Sequence, residues 1–420
     1  MVGIFRGDRG WQAKGHVKKL DKQQTTISPL MFFILTVMYT VAYNSSWRAM
    51  SWLWYGISLV AIIVLLSVFI NRDKVRLDFY TGWAVIFLVY SLFSCLWAID
   101  MAHVFEVLKT LGLIFIVHIL LAQLIERKED IEKLLKANFI ALVVLLAYVV
   151  LKSDFSMLGK FRIGVDTLGE LWNANDIGIK MSLGAILALY FMTKTHGVRK
   201  TICALLAIIF SFIILMTGSR TALLIVAMSI FMFFWLNAKK HRTLFFCVLL
   251  IVLGFLMILI LKVPFLYRVI GNRMEAIFQE LIGQAAGEGS YNARHDMIEL
   301  GVEWFKKKPI FGYGLNNFCE LYLIETGVAT YSHNNFVEML VSGGLVGFAI
   351  YYSAYIYLFV KLIKMAFLKR DLIAITLLVF NLSLIIMNVS NISYYSTADN
   401  CMLMLALVYV YIKDKNSENN

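Results

Sequence analysis

Apolar runs long enough to cross a bilayer recur along almost the whole chain, at 29–45, 50–70, 79–97, 104–124, 138–151, 174–193, 201–217, 221–236, 244–263, 334–360, 371–391 and 398–412. A helix needs about 20 apolar residues to span hydrocarbon, and most of these runs come close to that length. Backbone groups in lipid must be satisfied within their own segment, and none of the runs alternates with period two, so helices are predicted rather than a barrel. With 60% hydrophobic and 16% charged residues over 420 positions, soluble classes are excluded. Only three prolines occur, which leaves most spans unkinked. The expected fold is all-α: a polytopic membrane protein of about twelve transmembrane helices with one large extracytoplasmic loop containing short helices.

The net charge of +12 could point to nucleic acid, but the basic residues fall mostly in short connections between apolar runs. That is the pattern of cytoplasmic loops, and it favours a bilayer over a polynucleotide. The five cysteines, Cys95, Cys203, Cys247, Cys319 and Cys401, show no paired spacing, so neither a disulfide framework nor a metal site is indicated. Residues 1–28 read as a basic cytoplasmic tail, 29–263 as transmembrane helices 1–9, and 264–332 as the large extracytoplasmic loop. Residues 333–412 then supply helices 10–12, and 413–420 a second cytoplasmic tail. Twelve spans put both termini on one side, and the even-numbered connections (72–76, 127–136, 194–200, 239–242 and 361–370) are all basic, as that topology requires.

The odd-numbered connections then share the outer side, and three of them carry a polar residue set suited to chemistry. Arg220 follows Thr217-Gly218-Ser219 in a tight turn. It either snorkels to the interface or, at a helix start, faces an anion. Arg294 lies in a polar stretch after a glycine-rich link and opens an amphipathic helix on the membrane surface; it pairs with Asp296 or Glu299, or it serves a ligand. His333 sits between Ser332 and Asn334-Asn335 at the head of a span, either as a structural boundary residue or as a proton acceptor near neutral pH. Arg162, Asn173, Asn175, Tyr313 and Asn334 are secondary candidates for substrate contact. Asn173 and Asn175 read equally as helix caps, and Tyr313, in Phe311-Gly312-Tyr313-Gly314, as part of a structural turn.

Taken together, these elements resemble the O-antigen ligase and polymerase family of bacterial membrane glycosyltransferases. The resemblance rests on the Thr-Gly-Ser-Arg-Thr turn at 217–221, Ala293-Arg-x-x-Met297, Lys308-Pro-Ile-Phe-Gly-Tyr-Gly314, and Ser332-His-Asn-Asn-Phe336 with Gly344 and Gly347 after it. Asn173-Ala174-Asn175 departs from the Asn-Pro-Asn of many relatives. The resemblance implies a metal-independent transfer, without cofactor, from a glycan linked to undecaprenyl pyrophosphate to a glycan or lipid-linked acceptor, on the outer face of the bacterial cytoplasmic membrane. It implies that Arg220 and Arg294 hold the pyrophosphate, that His333 is the base, and that a chain-length regulator is a conceivable partner. Polymerisation of repeat units is preferred over ligation to a lipid A core. The rival class is a transporter of lipid-linked sugar, but the sequence shows no convincing internal repeat, and the candidate charges lie at one face.

Overall fold

The computed structural model describes residues 26–72, 75–154, 162–169, 172–237, 242–272, 274–275, 279 and 289–418. Most of the basic tail, Lys239-Lys240-His241, Phe161 and the link through Gly283 and Gly287 lie outside them. The described residues form helices joined by turns and loops, with no strand among them. The first nine long helices are α1 (Pro29–Tyr43), α2 (Ser51–Phe69), α3 (Phe79–Phe93), α4 (Met101–Leu124), α5 (Lys128–Lys152), α6 (Ala174–Lys194), α7 (Gly197–Thr217), α8 (Arg220–Asn237) and α9 (Arg242–Lys262). Two helices of the long polar segment follow, α10 (Gly289–Lys307) and α11 (Phe318–Thr326). The last three are α12 (Asn335–Leu368), α13 (Leu372–Met387) and α14 (Thr397–Glu418).

Each apolar run of the sequence thus became a helix. Among the described residues, eight helices are long and apolar enough to cross a membrane, or nine if the bent pair Leu253–Lys262 and Pro264–Gly271 counts as one span. The rest fall short for identifiable reasons. Helices α1 and α13 have 15 and 16 residues, and α14 carries Asp399 and Asn400 at one end and Lys413-Asp414-Lys415 at the other. Yet α14 is the central helix, packed against α1, α3, α4, α5, α12 and α13. Its residues from Cys401 to Val410 are all buried, so its partners are other helices rather than lipid.

One end of the bundle collects the basic connections. Arg72 and Arg76 bond to carbonyls at the C-terminus of α4, where backbone acceptors lack helical partners. The carboxylate of Asp130 accepts the amides of Thr26 and Ile27, while Lys361 and Lys413 pair with Asp414 and Asp371.

The glycine motifs of the second half form an interlock. Helix α12 breaks at Gly344, whose φ of 59° and ψ of −166° are open to glycine alone. The loop after α10 fills the break: Leu345 and Val346 donate to the carbonyls of Pro309 and Ile310 at 2.8 and 3.1 Å, and Tyr313 donates to that of Val341 at 3.0 Å. A β-carbon on Gly344 would stand 2.3 Å from the Ile310 carbonyl oxygen, and one on Gly312 2.4 Å from that of Val341. The conformation at Gly344 and these close approaches require both glycines.

Candidate functional site

The His333 backbone is held from both sides. The Ser332 hydroxyl donates to the Asn334 carbonyl at 2.9 Å, and the Ser332 amide donates to the buried Glu338 carboxylate at 3.4 Å. Asn334 caps α12 by accepting the amides of Phe336 and Val337. The fully buried Asn335 side chain accepts the amides of Ser393 and Tyr394, which fastens the start of α12 to the connection before α14. Between these anchors His333 takes a φ of 51°, a left-handed conformation that costs a side-chain-bearing residue about 1–2 kcal/mol. Such strain persists only where the surroundings impose it, and it marks functional positions.

The His333 ring lies half-buried against Tyr331, with centroids 4.1 Å apart. Burial, reinforced by the Arg294 guanidinium nearby, pulls its pKa down to about 4, so the imidazole is neutral and able to accept a proton at neutral pH. Burial and Asp176 raise the Tyr331 phenol above its ordinary range, while Arg294 and Asn173 oppose the shift. Arg294 is positioned by packing on α12: Met297, Trp304, Tyr313, Phe318, Val337 and Val341 form a satellite core, and Gly301 lets the two helices approach. Helix α10 therefore docks on α12 through this face, while Ile298 and Val302 remain exposed on another.

Arg220 begins α8 directly after a helix-terminating turn. Gly218, at φ 61°, caps α7, and the Ser219 hydroxyl accepts the amide of Ala222. Arg220, half-buried, is thus presented at the positive end of a helix. Three other segments press on the turn. The carbonyl of Val269, in the stretch that bends back by 85° after α9, would stand 2.7 Å from a β-carbon on Gly218. The Arg162 Nε donates to the Thr217 carbonyl at 3.1 Å. Gly178 of α6 lies beneath Thr217, Ser219 and Ala222.

The first turn of α6 links the two groups. Asn173 caps it by accepting the Asn175 amide at 2.8 Å, and Asp176 pairs with Lys180 at 2.6 Å. Asn173, Asp176, Lys180 and Tyr331 line a cavity of about 450 Å³ with Arg48, Tyr395 and Asp399. A larger cavity of about 880 Å³ lies at the opposite end, among Arg72, Arg76 and Lys413. Since those cations already serve carbonyls and Asp371, the smaller cavity is the better reaction chamber.

The structure therefore brings His333, Arg294, Tyr331 and Asn173 together, and it sets the turn of Arg220 and Arg162 against the same helix, α6. Asn334 acts as a cap, as does Asn173, while Tyr313 lies in the satellite core with Lys308 over its ring at 4.7 Å. Sequence reasoning missed Arg48, Lys180, Tyr395 and Asp399. Lys180 carried a readable signal, because an ionisable group within an apolar run faces a cavity or a partner.

Residues 205–352 match the family model described as O-antigen ligase. That stretch contains the Arg220 turn, Arg294 and His333, and it bears out the resemblance drawn from the motifs. No curated protein matches the chain.

Proposed function

We propose that this O-antigen ligase-family membrane protein polymerises oligosaccharide repeat units carried on undecaprenyl pyrophosphate. The observation that carries this reading is the clamped, strained His333 beside Arg294. A neutral imidazole there packs on Tyr331, which lines a polar cavity within an apolar bundle, and the Arg294 guanidinium is near enough to act on both rings. In the reaction an acceptor hydroxyl oxygen bonds to the anomeric carbon of the donor sugar, and its proton passes to the imidazole of His333. The anomeric carbon–oxygen bond to the diphosphate breaks, and its electron pair leaves with the lipid diphosphate. Arg220 and Arg294 hold the diphosphate oxygens, since guanidinium forks match phosphate geometry and offset the charge that develops on departure. With that charge balanced by protein groups, the transfer itself proceeds without a metal or cofactor.

Gathering of the basic connections at the end where Thr26 and Lys413 lie supports placing both termini in the cytoplasm. His333 and the described residues of the 264–332 segment then face outward from the cytoplasmic membrane, where lipid-linked glycans are presented. Arg162, Asn173, Asn175 and Asn334 contribute to the walls near the sugars, and a chain-length regulator remains a candidate partner. A second reading, ligation of the finished glycan to a lipid A core, is favoured by the family description itself.

Two measurements test these readings. Purified protein given lipid-diphosphate-linked repeat units should produce longer chains without added nucleotide; a preparation that only moves them across a vesicle membrane would support transport instead. In cells lacking the protein, polymerase loss leaves single repeats on the surface, whereas ligase loss strands long chains on the carrier.

The low pKa of His333 sets a pH signature. A base must be neutral to act, so activity is present above that pKa and lost as pH falls through it. The acid limb of kcat/KM, which reports the free enzyme, should lie near pH 4. Arg294→Gln should move that limb upward, because one of the two influences depressing the imidazole is removed. A limb that stays in place when Arg294 is neutralised would dissociate the two residues.

A further inference from the structure

We propose that Asp100, His103, Cys319 and Glu320 form a zinc site that fastens the segment after α10 to the start of α4. The donors come from two stretches far apart in sequence. His103 Nε2 lies 3.4 Å from a Glu320 carboxylate oxygen and 3.9 Å from one of Asp100, and the Cys319 sulfur is 3.7 Å from the same nitrogen. Tetrahedral zinc, with bonds of roughly 2.0–2.3 Å to nitrogen, oxygen and sulfur, spaces its ligands by about 3.3–3.6 Å. The donor atoms of Asp100, His103 and Glu320 lie within 4.8 Å of one another, and the Cys319 side chain, nearly equidistant from the two ring nitrogens of His103, must turn toward Nε2 to complete the set.

Their backbone is already fixed. Ile99 donates to the Tyr313 carbonyl at 3.2 Å, the Asp100 amide to Asn317 Oδ1 at 2.7 Å, and Leu315 to the Ser94 hydroxyl at 3.2 Å. Asn316 and Asn317 in turn donate to the carbonyls of His103 and Asp100. Asp100 caps α4 with Oδ1 on the Ala102 amide, which leaves Oδ2 turned toward His103. A metal here joins surfaces that hydrogen bonds have aligned, so it does not have to gather loose chain.

An ion held by the imidazole and the two carboxylates would take the neighbouring Cys319 as its thiolate. The side chains of His103, Glu320 and Asp100 are 27%, 24% and 43% exposed, so an ion can enter from solvent. None of the four belongs to the proposed transfer machinery, which makes the role structural: the ion would hold the loop that enters the break in α12.

The test uses the full chain in detergent, stripped with a chelator and titrated with Zn²⁺ or Co²⁺ alone. The site predicts one tightly bound ion per chain, tetrahedral visible absorption with Co²⁺, and a thiolate-to-cobalt charge-transfer band that Cys319→Ser removes. Glu320→Gln and His103→Ala should each weaken binding by about tenfold or more and remove the rise in Tm that Zn²⁺ gives the wild type. Glu320→Gln retains the shape of the side chain and keeps the test decisive if His103→Ala fails to fold. Absence of stoichiometric uptake by the wild type overturns the proposal. So does a cobalt spectrum unchanged by Cys319→Ser and Glu320→Gln, which would point to the exposed group His295, Asp296 and Glu299.

Discussion

Arg220→Lys should lower turnover by about 10²–10³-fold while the protein inserts and folds normally, the range found when one preorganised electrostatic donor is removed from a reaction site. The charge survives the substitution, so a purely electrostatic role would tolerate it. Lysine, however, offers a point charge where arginine offers a planar fork able to engage two phosphate oxygens. Arg220 cannot shift to compensate for a misplaced ligand, because Gly218, Ser219, the Val269 carbonyl and Gly178 fix the turn beneath it. Elongation of lipid-linked repeats by the purified variant, followed on a gel, is the measurement, and wild-type rates would remove Arg220 from diphosphate contact.

His333→Ala should reduce transfer by about 10²–10⁴-fold, the usual contribution of a positioned proton acceptor. Donor binding should persist, since the guanidiniums remain. Because alanine keeps the left-handed φ of 51° without the ring, thermal stability should change little, and a large drop in Tm would mark the residue as structural. His333→Gln separates the roles further, because glutamine can hydrogen-bond an acceptor hydroxyl but cannot take its proton at neutral pH. Equal activity in the glutamine variant and the wild type would exclude proton transfer to this position.

The helices were legible because hydropathy and the bilayer impose one period and one length; their ends were not. Helix α5 begins at Lys128, ten positions before its apolar run, and α12 continues to Leu368 past the run ending at 360. Apolar composition marks the depth of hydrocarbon, whereas helices continue through polar turns that carry good caps or ion pairs. At the site, Arg220, Arg294 and His333 stood out because polar residues are sparse in such a chain. Tyr313 drew attention for its glycine neighbours, yet those glycines serve the break in α12. Arg48 and Asp399 went unread because a single charge at the edge of an apolar run looks like an ordinary boundary. His103 and Cys319, 216 positions apart, meet only through tertiary packing that no spacing rule captures.

The burial of α14 on all sides bears on how the molecule is made. Ribosomes release its residues after those of every helix it touches, so the earlier helices sit in the bilayer with their shared interior face unfilled until it arrives. Assembly is therefore governed by a late, long-range docking event, which the sequence separation of its contacts makes slow. A ribosome that stalls before Thr397 would leave a set of inserted helices around an open seam, a ready substrate for quality-control proteases.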